Sequence, residues 1–292
     1  MLWENLREEE FEPMLKETHN VCAIAIGCLE MHGQHLPLGT DTLKGGKILE
    51  IAAEREPVCV LPRLYYGDVL QARSGDPTQG TTHYGYFALS GELMLQLLEE
   101  ICDEAARNGF KKILIVSSHG GNKGMLAFFL GMIMSKKKDY QVFSYYNALV
   151  MPAEILNIIS QKGREEFPYL TDSDIAVLQD FVDKNHFDGH GGFAESALML
   201  GTYPELVRLD RSEVLSGMHQ HKSDFLGDAR IAWGGSWWLD YPNAYAGHPP
   251  TGLTETIAKA SVEISIQKLV RALGVLKNDE LMKQIEHIKH IK

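Results

Sequence analysis

Residues 27–42, GCLEMHGQHLPLGTDT, hold a carboxylate and an imidazole two positions apart, Glu30 and His32. In extended chain, alternate side chains point the same way, so this pair can share one divalent cation or hold two adjacent ones. Asp41 follows after Pro37 and Gly39, which can fold the chain back. It adds a third ligand of the kind that zinc, manganese and iron accept. His35 is either a fourth ligand or a group that orients one from behind. Polar residues in a loop are ordinarily just solvated. The chemical reading therefore depends on a scaffold that makes them converge.

Two further segments offer partners. Residues 113–124, ILIVSSHGGNKG, place His119 directly after an apolar run, with glycines behind it that admit close approach of backbone to a ligand. Strand, glycines and helix also describe a dinucleotide site. Here, however, the first glycine of G-x-G-x-x-G would fall on His119, and G-x-x-x-x-G-K-[ST] is absent. Residues 188–200, DGHGGFAESALML, bring His190 before a Gly-Gly pair and Glu195 in the first turn of an expected helix. A carboxylate is favoured there by the helix dipole whatever else it does. His219 and His221 have chelating spacing but no strand end or patterned carboxylate beside them. No G-x-S-x-G elbow points to a serine nucleophile.

The elements that must position these residues follow from hydrophobic patterning. Residues 21–27, 58–64, 112–117 and 140–146 read as buried strands. Helical spacing predicts helices over 42–56, 90–108 and 123–136, then over 153–160, 172–182, 193–201 and 254–273, with a short one from 278. Strands alternating with helices predict a largely parallel sheet covered on both faces. In such sheets ligands bind at the carboxyl ends of strands, which is where Glu30, His32 and His119 fall. The pattern fails over 66–90, a loop punctuated by glycines and long enough to be functional. Residues 202–250 read as irregular. No repeat or linker appears, so residues 1–292 are expected to form one domain.

Composition narrows the classes. Hydrophobic residues make up 45% of the 292, enough for a large core. The formal net charge of −11 opposes phosphate backbones, so no nucleic-acid partner is expected. No run is long enough to span a membrane, and the acidic N-terminus carries no apolar leader pattern. Cys22, Cys28, Cys59 and Cys102 form no C-x-x-C pair and are expected to be reduced thiols in a cytoplasmic protein.

Taken together, the three segments resemble the creatininase (creatinine amidohydrolase) family. Its E-x-H-G-x-H-L-P stretch and following T-D pair are matched by Glu30, His32, His35, Pro37, Thr40 and Asp41. Its N-G-H-G-G-N segment appears as residues 117–122, and its H-A-G-x-x-E-T-S segment as residues 190–197. The resemblance implies a three-layer α/β/α sandwich, a homo-oligomer that is commonly a hexamer, and two divalent metal ions per subunit. Carried over by position, Glu30 and His119 would bind one metal and His32 the other. Asp41 would bridge them, and His190 would be the catalytic histidine. Ser74, Gly75 and Gly120 would fall at the substrate.

The chain departs from the family at two places. Creatinine-hydrolysing members have a carboxylate ligand where this chain has Gly121, so Glu195 is inferred to complete the second metal's shell. They also place tryptophan just before the catalytic histidine, where this chain has His186. Weak turnover of creatinine itself is therefore expected, the alternative being that Trp233, Trp237 or Trp238 reaches the site from the later irregular region. The implied reaction is hydrolysis of a non-peptide amide C–N bond, cyclic amides included. Metal-activated water would attack, and His190 would protonate the leaving nitrogen near neutral pH. A formamide or a small peptide is an alternative substrate, and a non-catalytic metal-binding relative is the alternative class.

Overall fold

The computed structural model describes residues 1–74 and 84–289. Its sheet has four strands, β1 (Val21–Ile26), β2 (Cys59–Val60), β3 (Lys112–Ser117) and β4 (Gln141–Tyr146), all parallel in the order β2-β1-β3-β4. Ile26 stands level with Ser117, and Ser117 with Tyr146. The two central strands therefore end side by side, and the segments that leave them start from one place.

The helices among the described residues are α1 (Glu8–Glu17), α2 (Thr40–Arg55), α3 (Gly91–Arg107), α4 (Asn122–Met134), α5 (Pro152–Lys162), α6 (Asp172–Asp183), α7 (Phe193–Thr202), α8 (Asp224–Asp228), α9 (Ser236–Asp240), α10 (Glu255–Leu276) and α11 (Asp279–Lys289). Alternating strand residues fill two cores. Val21, Ala23, Ala25, Leu114 and Val116 pack against α2 and α10 through Ile48, Leu49, Leu269 and Leu273. Cys22, Ile24, Ile26, Ile113 and Ile115 pack against α1, α3 and α4 through Met14, Leu98, Cys102 and Phe129. The result is the expected three-layer sandwich. Burying each of Leu269 and Leu273 contributes about 1.5–3 kcal/mol. A third core joins α5, α6, α7 and α10 around Ile155, Leu178, Phe193 and Ile257.

The expected strand over 58–64 is cut to two residues. Pro62 has no N–H to give the ladder, and the chain returns to β1 only through Leu64, whose N–H donates to Ala25 O. The helix expected from 42 starts two residues earlier, at Thr40, so Asp41 lies in its first turn. The long loop contains a 3-10 turn over Leu70–Ser74. Residues 202–250 carry only short helical turns, as expected. No helix among the described residues is long and apolar enough to cross a membrane.

Candidate metal centre

The centre is assembled where β1 and β3 end. Glu30 N–H donates to Leu38 O at 3.0 Å, and Thr40 Oγ1 donates to Pro37 O at 2.6 Å, so the chain after β1 curls back into α2. Gly27 permits the approach: a Cβ there would lie 2.3 Å from Thr42 N. Asp41 is thereby pressed towards the strand ends. His119 stands two residues beyond β3. Gly191, at φ +72, turns the chain into α7 and sets Glu195 in its first turn. His35 donates from Nε2 to Gly191 O at 2.8 Å and lies 3.1 Å from Ser196 Oγ. It thus ties the first segment to the third and orients it.

The structure brings Glu30, His32, Asp41, His119 and Glu195 together, all buried. Their ligand atoms fall into three overlapping groups: Glu30, Asp41 and His119 with Cys28; His32, Asp41 and Glu195; and Glu30 and His32 with His190. Asp41 Oδ2 belongs to the first two. It is 3.0 Å from His119 Nδ1 and 3.5 Å from His32 Nε2. Glu195 Oε2 is 3.6 Å from His32 Nε2, and Glu30 Oε1 is 2.9 Å from His119 Nδ1.

Hydrogen bonding assigns the tautomers. His119 Nε2 donates to Asp68 O at 2.7 Å, and His32 Nδ1 donates to Glu30 O at 3.2 Å. A neutral imidazole has one N–H, so each ring turns its bare nitrogen towards the carboxylates. Lone pairs facing lone pairs at these distances require a cation or a proton between them. Glu30 Oε1 and His32 Nε2 make no hydrogen bond within the protein, although both are buried. Mixed nitrogen and carboxylate donors in two such pockets fit two divalent ions.

The electrostatics agree. Burial disfavours a charged His119, but Glu30, then Cys28 and Asp41, outweigh it and raise its pKa well above the usual imidazole range. His32 is raised likewise, against burial, by Glu195 and Asp41. Burial would raise Asp41, but Lys44 and then His32 hold it well below the usual carboxylate range. Glu30 is lowered, against burial, by His119 and His190. Cys28 is pushed up by burial, then by Asp41 and Glu30, and its protonated Sγ lies 3.3 Å from Asp41 Oδ2 as a donor.

His190 stacks on His32 at 4.0 Å between centroids. Its Nε2 donates to Met31 O at 2.6 Å, which leaves Nδ1 free, 3.7 Å from Glu30 Oε1. Burial, then His32, lowers its pKa below the ordinary value, so the structure favours the neutral ring at pH 7. Gly120 lies exposed beside His119, with Tyr146 OH 3.9 Å from where a Cβ would stand. Ser74 ends the 3-10 turn, and Gly75 lies outside the described residues. His186 stacks on His248 at 4.1 Å and meets Phe181 edge-on, so its ring is engaged away from His190. The aromatic beside His190 is Trp237, edge-on at 5.4 Å, with Tyr241 behind it. His219 and His221 pair with Asp240 and Asp224 outside the centre.

Sequence reasoning missed Lys44, Cys28 and Asp68. Lys44 had a signal: three residues after Asp41 on a helix, it shares that residue's face. Cys28 had one too, two residues before Glu30 in the same alternation; Asp68 had none, since it meets His119 across 51 positions.

The sequence model described as "Creatininase: Creatinine amidohydrolase" matches residues 4–273. The creatinine amidohydrolase of Pseudomonas putida is 28% identical over 211 residues, covering 70% of this chain and 72% of that protein. The mycofactocin precursor peptide peptidase of Mycobacterium tuberculosis (strain CDC 1551 / Oshkosh) is 28% identical over 130 residues, 43% of this chain and 50% of that one. A solved mutant creatininase of "Zn-Zn type" superposes with a TM-score of 0.62 at 20% identity, covering 93% of this chain and 96% of that chain.

Proposed function

The chain belongs to the creatininase family of amidohydrolases, and from that premise we propose that it hydrolyses a non-peptide amide C–N bond with two divalent ions bound. Glu30, Asp41 and His119 hold one ion, and His32, Asp41 and Glu195 hold the other. The observation that carries this reading is the pair of imidazole nitrogens, His119 Nδ1 and His32 Nε2, turned on one shared carboxylate oxygen, Asp41 Oδ2. Zinc and manganese suit these donors, and iron is also accepted by them.

When bound, two such ions supply a Lewis acid for the carbonyl and an activated water as nucleophile. The protein's own groups do the rest. Asp68 O and Glu30 O fix the tautomers of His119 and His32. Met31 O fixes the proton on His190 Nε2, so Nδ1 is the atom that takes a proton from the attacking water and returns it to the leaving nitrogen. The lowered pKa of His190 suits the first half of that task, since the ring enters the reaction neutral. Trp237 sets an aromatic ring edge-on beside His190, which supports a flat substrate there. The family resemblance also assigns Ser74, Gly120 and Gly75, the last outside the described residues, to the substrate.

The similarity to a precursor peptide peptidase favours short peptides as the second reading. Turnover of creatinine, hydantoins, formamides and short peptides by zinc- and manganese-loaded protein tests both. Hydrolysis of a cyclic amide or formamide is expected; cleavage confined to peptides selects the second reading, and no turnover of any member contradicts both.

The whole chain, 1–292, acts as one amidohydrolase unit in this proposal. The exposed apolar side of α4, with Phe128 at 66% and Met134 at 71% exposure, supports assembly into a homo-oligomer, a hexamer by family habit. Four free buried cysteines support a reducing, cytoplasmic setting.

A further inference from the structure

The centre contains a cation of its own. Lys44 lies three residues after Asp41 on α2, and its side chain is wholly buried. Its Nζ donates to Asp41 Oδ1 and, at 2.6 Å, to Glu195 Oε1. Each carboxylate is thereby divided. The outer oxygen meets Lys44, and the inner oxygen, Asp41 Oδ2 or Glu195 Oε2, faces His32 Nε2. Gly191 N–H donates to the inner oxygen of Glu195 at 2.6 Å, so that carboxylate does not depend on Lys44 alone for its aim. Glu30 lies outside this clamp, with Oε1 towards His119.

Two buried carboxylates side by side are costly unless something positive neutralises them, and a buried ammonium is costly unless paired. The clamp answers both needs before any metal arrives. We propose that Lys44 is the resident counter-ion of the centre: it keeps the metal-free protein folded and weakens the hold on the ion shared by His32, Asp41 and Glu195. This rests on the two-ion reading above. The two effects are one by linkage, because a group that stabilises the metal-free form more than the loaded form lowers metal affinity by the same factor. The ion at His32 shares both of its carboxylates with Lys44, whereas the ion at His119 shares only Asp41. Lys44 therefore makes the His32 site the weaker of the two.

The test is Lys44→Met, which keeps an unbranched side chain one atom shorter and removes its charge. Thermal unfolding is measured on chelated and zinc-loaded protein, and stepwise zinc affinity by competition with a chromophoric chelator. The chelated variant is expected to unfold well below the chelated wild type, with most of the gap closed by zinc. The weaker zinc step is expected to tighten roughly ten-fold or more, since a like charge a few ångströms away has been removed. Should the chelated variant not fold, folding on addition of zinc is the expected result. Lys44→Met combined with Glu195→Gln, which removes one charge of each sign, is expected to recover stability in the chelated state. Equal losses with and without zinc at unchanged affinity would mark Lys44 as an ordinary structural residue and overturn the proposal. So would a looser second step, or failure to fold even with zinc in excess. A wild type that takes up no zinc contradicts the two-ion reading itself, and the proposal with it.

Discussion

Asp41 is the side chain on which both halves of the centre depend, because one of its oxygens faces both imidazoles. Asp41→Ala should therefore empty both positions, measured as metal content after gel filtration, whereas a variant that keeps both ions would place the bridge elsewhere. His190 also falls with Glu30 and His32 in a candidate ligand group, but in the proposed assignment it transfers a proton rather than holding an ion. His190→Gln should keep its metals and lose roughly a hundred- to ten-thousand-fold in kcat, the usual contribution of a proton-transfer group. Loss of metal in that variant would make His190 a ligand. His35 gives the residue scale its pH dependence. Burial, opposed by its bond to Gly191 O, lowers its pKa from 6.5 to about 4. It is neutral in the fold, so its contribution is complete above the unfolded value and is lost as pH falls from about 6.5 towards 4, by about 3 kcal/mol at most. His35→Gln keeps a donor for Gly191 O and does not titrate. Its unfolding temperature should gain on the wild type between pH 7 and pH 4.5, and a gap that stays constant with pH would contradict this.

At the scale of elements, the centre exists because α2 starts hard against the end of β1. Gly27→Ala would set a methyl 2.3 Å from Thr42 N, a backbone atom that cannot step aside alone. A cost of about 1–3 kcal/mol is expected from such overpacking, together with reduced metal content, because the same shift moves Asp41. Unchanged unfolding temperature and metal content would show that the contact does not position the helix. The strands and helices that carry the ligands were legible from periodicity, and Glu30, His32 and His119 from their places just beyond apolar runs. What stayed hidden was convergence over distance. Glu195 meets Lys44 across 151 positions, and His35 meets Gly191 across 156. Trp233, Trp237 and Trp238 were visible in residues 202–250 as rings that could reach the site, but nothing local singled out Trp237 as the one against His190. Pro62, by contrast, was in plain view, and it shortens β2 by removing a donor that the strand pattern assumed.

At the scale of the molecule, two cores on opposite faces of a parallel sheet leave its carboxyl end as the place where three distant segments can meet. The third core, around α7 and α10, fixes the segment that brings His190 and Glu195. Everything proposed about chemistry follows from the claim that this meeting place holds two cations. Elemental analysis tests it most directly, on protein purified without chelators and on the same protein stripped and then reloaded with zinc, manganese or iron. The account predicts close to two ions per chain in the native or the reloaded sample and none in the stripped one; a chain that is isolated empty and takes up none of the three metals would contradict it.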